Sequence, residues 1–342
     1  MKAAVLETPR KIVVREVPDP VVGGYDVLCD ILACSVCSGT DRHLFHNDPY
    51  FKVQFPTILG HEAIGRVTAC GPKVKNLNIG DLVTRIFNKL PEDSGIHLHW
   101  GGFAQKGVAT DWQAMRADGL PETEWRRYTV QRVLPTHFSP AESTLIITWR
   151  ETHSFLKRLQ VAATDKVVII GSGANALAFV KHSHNLGVET LVIGSPKRSE
   201  HFRRSGANSF VSYREVNQPA AMKALGWGSA DVVIDAIGDS SSLNKVLPLT
   251  KSGVKLGVYG LDNVLDYHIN TSLVKGDFSF YSGEHYDEAS VHDDIIALIE
   301  QGKLNAGEFI SPEHIYPLAE IEQAFAASWS GEVLKSVVVM ER

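Results

Sequence analysis

Residues 167–176 read Val-Val-Ile-Ile-Gly-Ser-Gly-Ala-Asn-Ala, a run of apolar residues followed by a glycine-rich turn. The apolar run is typical of a buried strand, and the residues after the turn have the pattern of a helix. Gly171 permits the tight turn, Gly173 lets a pyrophosphate approach the backbone, and Ala176 lets the helix pack closely on the strand. Because a pyrophosphate binds at a helix N-terminus, we predict that a dinucleotide contacts Gly171, Gly173, Ala174, Asn175 and Ala176.

The sequence around this loop alternates between strand-like and helix-like segments from residue 149 to residue 289. Runs of apolar, β-branched residues at 166–170, 189–193 and 230–235 are separated by helical patterns. Strands that alternate with short helices indicate a parallel, doubly wound sheet of the Rossmann type. This context favours dinucleotide binding over a glycine-rich turn in an α/β domain that binds no ligand.

The end of the second of these strands bears on which dinucleotide is bound. NAD-specific folds usually place Asp or Glu here, where it binds the ribose 2′-hydroxyl. This chain has Ser195, Lys197 and Arg198 instead. A hydroxyl and two cations suit a 2′-phosphate, which they would hold by charge-assisted hydrogen bonds. The loop therefore favours NADP over NAD, and the alternative is a solvated basic turn at the start of the next helix.

The first half of the chain has a different character, with short strand-like segments divided by glycine and proline. The segments that alternate or are rich in β-branched residues are 3–6, 12–17, 26–33, 63–69 and 81–87. This pattern indicates an antiparallel, barrel-like domain. The 342 residues suffice for two domains. We predict a catalytic domain of residues 1–148 and 290–342, with a nucleotide-binding domain of residues 149–289 inserted into it.

The bulk composition is ordinary for a globular protein, with 44% hydrophobic and 21% charged residues. The net charge of −5 gives no indication of a nucleic-acid-binding surface. No run of 18 apolar residues is present, so a membrane span is not expected, and the N-terminus lacks a signal-peptide pattern. We therefore expect a cytoplasmic protein that binds neither membranes nor nucleic acid.

Residues 33–43 read Ala-Cys-Ser-Val-Cys-Ser-Gly-Thr-Asp-Arg-His, and four further glycine-containing motifs follow. They are Gly60-His61-Glu62 with Gly65 and Gly71, Gly80-Asp81-Leu82-Val83, Gly101-Gly102-Phe103-Ala104, and the dinucleotide loop itself. Together these segments resemble the medium-chain dehydrogenase/reductase superfamily, in particular its zinc-dependent alcohol and polyol dehydrogenases. The resemblance covers nearly the whole chain. It implies an α/β protein in which a GroES-like, β-rich catalytic domain is combined with the Rossmann domain.

In that family a cysteine of the first segment and the histidine of Gly-His-Glu bind a catalytic zinc ion, which polarises the substrate oxygen. A third ligand, Cys or Glu, comes from the helix before the Rossmann domain. For this chain the resemblance implies that His61 binds the metal, that Thr40 or Ser38 begins a proton relay, and that His43 continues it. Without zinc, His61 or Thr40 could instead hydrogen-bond a carbonyl oxygen. The structural alternative is that His61 and Glu62 are a buried pair that only supports the strand.

The chain departs from the family pattern around the metal ligands. One extra residue separates Cys37 from Thr40, so the ligand aligns with Cys37 from one side and with Ser38 from the other. We favour Cys37, because five consecutive positions match there and a thiolate is the better zinc ligand. The position of the third ligand holds Ile147, and Glu151 lies one helical turn later.

Two carboxylates leave alternatives open. Glu151 could replace the missing ligand or could be a plain surface carboxylate, and Glu62 could bind the metal directly or support a ligand. The predicted metal ligands are therefore Cys37, His61, Glu62 and Glu151.

A third departure from the family pattern concerns structural zinc. Residues 87–101 contain no cysteine, only His97 and His99, which we interpret as ordinary loop histidines. We accordingly expect no structural zinc.

These observations predict an NAD(P)-dependent oxidoreductase that transfers a hydride between the nicotinamide and a secondary alcohol or polyol, or its ketone, with the help of zinc. The predicted catalytic residues are Ser38, Thr40, His43, His61 and Glu62. Two alternatives stay open: a zinc-free enone or quinone reductase of the same superfamily, and a non-catalytic NADPH-binding protein.

Two further segments bear on the substrate and on assembly. The inserted residues 111–128, which include Trp112 and Trp125, could cover a polar or sugar-like substrate or could form subunit contacts. The resemblance also implies a homodimer or homotetramer formed through the Rossmann sheet. The β-rich, apolar residues 277–281 are the candidate edge strand for that pairing.

Overall fold

A computed structural model gives the fold of residues 1–283 and 286–340. One unit consists of residues 1–147 with the chain from Ala306 onward, and the other consists of residues 148–305. The second unit extends past the predicted boundary at residue 290, because Glu288 and His292 contact Arg150 of the same unit. The predicted domain ranges also include residues 284–285 and 341–342, which lie outside the described residues.

The regular elements are numbered here in chain order. The strands are β1 (Lys2–Thr8), β2 (Lys11–Glu16), β3 (Asp26–Ser35), β4 (Thr57–Ile58), β5 (Glu62–Cys70), β6 (Leu82–Thr84), β7 (His97–Leu98), β8 (Lys106–Thr110), β9 (Val133–Leu134), β10 (Lys166–Ile170), β11 (Glu189–Gly194), β12 (Ser209–Ser212), β13 (Ala230–Asp235), β14 (Thr250–Val258), β15 (Phe278–Ser282), β16 (Ile315–Pro317) and β17 (Val337–Val339). The helices are α1 (Thr40–Phe45), α2 (Trp112–Ala117), α3 (Glu122–Trp125), α4 (Pro140–Ser143), α5 (Leu145–Arg158), α6 (Ala174–Asn185), α7 (Ser199–Arg204), α8 (Gln218–Ala224), α9 (Ser240–Val246), α10 (His292–Glu300) and α11 (Ile321–Trp329). Within the described ranges, no helix is both long enough and apolar enough to span a membrane.

The first unit is built on two sheets of mostly antiparallel strands. One has the order β2-β1-β4-β7, and the other has the order β16-β17-β3-β5-β6-β9, with β8 also paired to β3. Strand β3 lies between β5 and β17, so that Ser35 stands opposite Glu62 on one side and opposite Val337 on the other. Buried side chains of β3, among them Val27, Cys29 and Ile31, point into the core. The register of these three strands therefore brings the end of β3 and the start of β5 together.

The second unit contains a six-stranded parallel sheet in the order β12-β11-β10-β13-β14-β15. The strands on both sides of β10 are parallel to it, with Ile170 opposite Ile193 and Asp235. The predicted doubly wound sheet is confirmed. Strand β10 is almost fully buried because helices cover both faces of such a sheet, which explains its continuous apolar run. Strand β15 lies at one edge, and Phe280 on it is 49% exposed.

Some local predictions were incomplete. The inserted residues 111–128 form two short helices, α2 and α3, whose Trp112 and Trp125 rings stack with centroids 6.0 Å apart. The carboxylate of Asp111 caps α2 and also accepts hydrogen bonds from the backbone of Lys75 and Asn76. This insertion is thus fixed to its own unit by a buried cap. Helices α1 and α8 were not predicted, because each is a single short segment with little apolar periodicity.

The second unit encloses a pair of histidines. Nε2 of His182, on α6, lies 3.1 Å from the carbonyl oxygen of Trp149 and 3.1 Å from Oγ1 of Thr152. The ring of His153, on α5, lies with its centroid 4.8 Å from that of His182. Burial, and then the neighbouring His153, holds the pKa of His182 well below its usual value. The folded chain therefore keeps His182 neutral at a pH at which the unfolded chain takes up a proton.

We expect this histidine to make the second unit less stable as the pH falls below about 6.5. Because only the unfolded chain binds the proton there, the free energy of unfolding falls by up to about 1.4 kcal/mol per unit of pH. Urea unfolding followed by tryptophan fluorescence, at about pH 7.5 and about pH 5.5, should show a smaller loss for His182→Gln than for the wild type. The control is His184→Gln, since His184 is exposed on the same helix. Equal pH dependence in both variants would contradict the expectation.

Candidate active site

A thiol, an imidazole and a carboxylate converge where β3 ends and β5 begins. Ligand atoms of Cys37, His61 and Glu62 all lie within 4.8 Å of one another, and the three side chains are buried. Among the histidine, cysteine and acidic side chains of the described residues, these three lie close enough together to hold a metal ion. One sulfur, one nitrogen and one oxygen ligand form a donor set that suits zinc.

The imidazole of His61 has a different neighbour at each nitrogen. Its Nε2 lies 3.9 Å from Oε1 of Glu62, and its Nδ1 lies 3.8 Å from Oδ1 of Asp41. Neither this Nδ1 nor this Oδ1 has a hydrogen-bond partner among the described residues. Metal-bound imidazoles commonly donate their second N–H to a carboxylate, so the two unsatisfied atoms fit a metal held on the Glu62 side of the ring.

Burial sets the charge states of these groups. Burial lowers the pKa of His61 to about 3 even though Glu62 opposes the shift, so the ring is neutral and can act as a ligand. Burial likewise raises the pKa of Asp41 to about 7. Because both shifts come mainly from removal of water, these groups lie in a low-dielectric environment, where charges interact more strongly than in water.

Helix α1 fixes the loop that carries the thiol. Oδ2 of Asp41 accepts a hydrogen bond of 2.8 Å from the backbone N–H of Cys37, and the N–H of Asp41 donates back to the Cys37 carbonyl. The thiol of Cys37 thereby lies in the metal group, whereas Ser38 is partly exposed. This placement supports the alignment that makes Cys37 the ligand despite the extra residue.

The predicted relay residues lie on or next to the same helix. Ser38 and Thr40 are partly exposed, and His43 follows Thr40 by three positions, which places both on one helical face. Nδ1 of His43 lies 2.9 Å from Oδ2 of Asp48, and its ring stacks on Phe51 with centroids 6.2 Å apart. The ring is thus held in one orientation with its Nε2 edge turned away from Asp48.

Two partners of Glu62 were not found from the sequence. Nζ of Lys335 lies 2.8 Å from Oε1 and 2.6 Å from Oε2, and the hydroxyl of Ser35 donates to Oε2. Lys335 is only 2% exposed and Glu62 only 1%. Although burial raises it, the ammonium of Lys335 holds the pKa of Glu62 below its usual value. Lys335 stands just before an apolar final strand, and this position was its only signal in the sequence.

Glu151 has a hydrogen-bond partner within its own unit, the second one. Its carboxylate is buried, and Oε2 accepts a hydrogen bond of 2.9 Å from the hydroxyl of Tyr259. The interpretation of Glu151 as a plain surface carboxylate is therefore wrong, because the side chain is only 7% exposed. Ile147, at the position where the resemblance predicts a third metal ligand, is fully buried and apolar.

The predicted cofactor residues lie in two adjacent turns, at the carboxyl ends of β10 and β11. Gly171 has φ of +125°, which a residue with a side chain rarely adopts, and its N–H donates to the Ile193 carbonyl. Ser195 donates its backbone N–H to Oγ of Ser172, and Arg198 donates from its guanidinium to the Ser172 carbonyl at 3.0 Å. The structure therefore brings the basic turn directly against the glycine-rich turn.

Two residues beside this loop were missed by the sequence analysis. Tyr213, just after β12, donates its backbone N–H to the carbonyl of Gly194 at 2.9 Å, and its side chain is 51% exposed. Arg214 lies over the Tyr213 ring, 5.5 Å from its centroid, and donates from Nε to its hydroxyl. The basic turn thus continues into an exposed aromatic ring and a further cation.

The chain is similar in sequence and fold to known alcohol and polyol dehydrogenases. Residues 23–119 match the family described as the alcohol dehydrogenase GroES-like domain. The chain is 24% identical to D-arabinitol dehydrogenase 1 of Uromyces fabae, over 99% of this chain and 97% of that protein. It is 23% identical to sorbitol dehydrogenase of Bacillus subtilis (strain 168), over 100% of this chain and 98% of that protein. Among solved structures, alcohol dehydrogenase TADH from Thermus sp. ATN1 superimposes with a TM-score of 0.80 at 23% identity, with both chains covered completely.

Proposed function

Because the chain belongs to the medium-chain dehydrogenase/reductase superfamily, we propose that it is a zinc-assisted, NAD(P)-dependent dehydrogenase of secondary alcohols or polyols. The observation that carries the proposal is the buried group of Cys37, His61 and Glu62. Two relatives named as polyol dehydrogenases, for D-arabinitol and for sorbitol, support a polyol as the substrate.

Each unit contributes separate parts to the reaction. Cys37 and His61 would hold zinc, with Glu62 as a further ligand or as their support, and the ion when bound would polarise the oxygen of the alcohol or ketone. Oxidation of the alcohol removes a hydride from carbon and a proton from oxygen. The glycine-rich loop of the second unit would bind the dinucleotide, whose nicotinamide takes the hydride.

The proton leaves through residues of this chain. The hydroxyl of Thr40 or Ser38 would accept it from the substrate oxygen and pass it on, and His43 would be a later member of the relay. The contact between Nδ1 of His43 and Asp48 orients the ring for this step. In the direction of ketone reduction the same groups deliver the proton.

A substrate panel tests the proposed function. The purified protein, supplied with zinc and either dinucleotide, should oxidise pentitols or hexitols, and a strong chelator should stop the reaction. Turnover of enones that is insensitive to the chelator would assign the chain to the zinc-free reductases instead. Cofactor binding without turnover of any alcohol, ketone or enone would support a non-catalytic NADPH-binding protein.

We also propose that NADP is the preferred dinucleotide. Ser195, Lys197 and Arg198 lie beside the glycine-rich turn, and no acidic side chain occupies the end of β11. The exposed ring of Tyr213, with Arg214 over it, extends this basic surface toward the place where the adenosine ribose binds in Rossmann folds. These groups together suit a 2′-phosphate and its adenine.

Arg198→Ala should raise the KM for NADP by about 10- to 100-fold, because a hydrogen bond to a charged group contributes about 1.5–3 kcal/mol. The KM for NAD should change by less than about twofold, since NAD has no 2′-phosphate. Steady-state kinetics with both dinucleotides measures the difference. Arg204→Ala, an exposed arginine of α7 paired with Glu200, is the control and should change neither. Equal losses for the two dinucleotides, or none, would exclude the 2′-phosphate role.

Assembly through β15 is a further part of the proposal. This strand lies at the edge of the parallel sheet and exposes Phe280, so its backbone can pair with a second copy. A homodimer or homotetramer would follow. Because the four cysteines are free thiols, as in a reducing compartment, we propose the cytoplasm as the location.

A further inference from the structure

The ring of His61 is in contact with an indole that no motif identifies. The centroids of His61 and Trp100 lie 4.9 Å apart, with the ring planes tilted by 47°. Trp100 is partly buried against the core of the first unit, so its indole has a fixed support. Asp41 faces one edge of the imidazole and Glu62 faces the other, and Trp100 therefore covers part of the remaining surface.

The backbone at Trp100 adopts a conformation that is unfavourable for a large side chain. Its φ is +69°, in the left-handed region, where glycine and asparagine occur but bulky residues are outliers. Gly101 follows with φ of +84°. A glycine or asparagine at position 100 would fit this backbone without strain. A tryptophan held there indicates that its indole makes a contact that offsets the strain.

Hydrogen bonds to two neighbouring segments impose this conformation. The N–H of His99 donates to the carbonyl of Ile58, and the N–H of Gly102 donates to the carbonyl of Gly60, on either side of Trp100. The N–H of Asn88 donates to the carbonyl of Trp100 itself at 2.7 Å. The segment 97–103 is thereby fixed alongside residues 56–61, which places the indole at His61.

A second strained residue meets His61 from the other direction. Arg85 also has a positive φ, of +55°, and its guanidinium donates a hydrogen bond of 3.0 Å to the carbonyl oxygen of His61. Arg85 is only 5% exposed, and its own carbonyl accepts from the side chain of Gln131. Two residues with unfavourable backbone conformations thus contact His61: Arg85 contacts its backbone and Trp100 its ring.

We propose that Trp100 is a positioning residue that holds the imidazole of His61 in its metal-binding orientation, with Arg85 holding the backbone. This proposal rests on the proposed function, since it presumes that His61 binds the metal. Because the ring is fixed before the metal arrives, little rotational freedom is lost on binding, and the affinity of the site rises. The indole also keeps water from the face of the imidazole that it covers.

The test is the affinity of the full-length protein for Co²⁺, measured by competition with a chromophoric chelator and by the visible absorption of the bound ion. Trp100→Gly removes the indole and relieves the backbone, and it should weaken Co²⁺ binding about 10- to 100-fold, as loss of groups that orient a ligand does. Trp100→Phe keeps a ring against His61 and should bind within about threefold of the wild type. Trp112→Gly, which breaks the partly buried tryptophan stack of the insertion, is the control and should bind Co²⁺ normally.

The outcomes separate this proposal from the function on which it rests. A wild-type chain that binds no Co²⁺ would overturn both. A wild-type chain that binds Co²⁺, together with a folded Trp100→Gly that binds it equally well and with the same spectrum, would overturn the role of Trp100 alone. If Trp100→Gly does not fold, Trp100→Leu decides the matter, because it keeps apolar packing without a ring, and wild-type affinity in that variant would also overturn the role.

Discussion

Cys37→Ala should yield a folded protein that contains no zinc and has no measurable dehydrogenase activity. The thiol is one of three side chains whose ligand atoms lie within 4.8 Å of one another, and thiolate is the strongest zinc ligand among them. Loss of residues that only orient a ligand weakens metal binding by about 10- to 100-fold, so loss of a ligand itself should exceed that. Metal content per chain and turnover, measured on the same preparation, give the result.

Cys29→Ala is the matched control, because Cys29 is a fully buried thiol of β3 surrounded by the apolar core. It should retain both zinc and activity. Glu151→Ala tests whether Glu151 replaces the missing third ligand. Loss of zinc in this variant would make Glu151 a ligand, and retention of zinc would mean that its carboxylate serves only as the hydrogen-bond acceptor of Tyr259. A wild-type chain that holds no zinc would instead indicate a metal-free reductase, in which Ser38, Thr40 and His61 are the groups to vary.

Lys335→Met should lower the free energy of unfolding by about 3–5 kcal/mol. The variant leaves the carboxylate of Glu62 charged and buried without its cation, and an uncompensated buried charge is among the most destabilising changes in a protein. Urea denaturation in the presence of a chelator measures the effect, because a bound metal would supply a substitute positive charge.

Two further variants make this result specific. Lys75→Met removes an ammonium from an exposed pair with Asp118 in the same unit and should have little effect. Adding Glu62→Gln to Lys335→Met removes the stranded charge and should restore part of the lost stability. A Lys335→Met protein as stable as Lys75→Met would show that Glu62 does not depend on this ion pair.

The parts of the fold that could be predicted are those that short, continuous stretches of sequence determine. The apolar run of β10, the glycines at 171 and 173 and the helix after them are consecutive in the chain, so their geometry follows from nearby residues. The same holds for residues 33–43 and for the Gly-His-Glu motif. The extra residue between Cys37 and Thr40 left open whether Cys37 or Ser38 aligns with the metal ligand. The contact between the Asp41 carboxylate and the Cys37 backbone is what places the thiol in the metal group.

The parts that could not be predicted depend on distant pairings or on unfavourable backbone. Lys335 and Glu62 are 273 residues apart in sequence, and Tyr259 and Glu151 are 108 apart. The periodicity of apolar residues does not predict contacts between residues so far apart in sequence. Tryptophan rarely adopts the left-handed backbone conformation that Trp100 has, and hydrogen bonds to neighbouring segments impose it. Functional sites are where local preference and tertiary structure disagree most often, and here the disagreement occurs next to His61.

The pairing of β17 with β3 has a consequence for how the protein is made. Because the whole second unit separates β17 and Lys335 from β3 and Glu62 in sequence, the first unit cannot pair Glu62 with its cation until the segment after residue 305 has been synthesised. The second unit is continuous in sequence, from residue 148 to residue 305, and can fold while those residues are still to come. During synthesis the second unit can therefore fold while the Glu62 carboxylate of the first unit still lacks its cation.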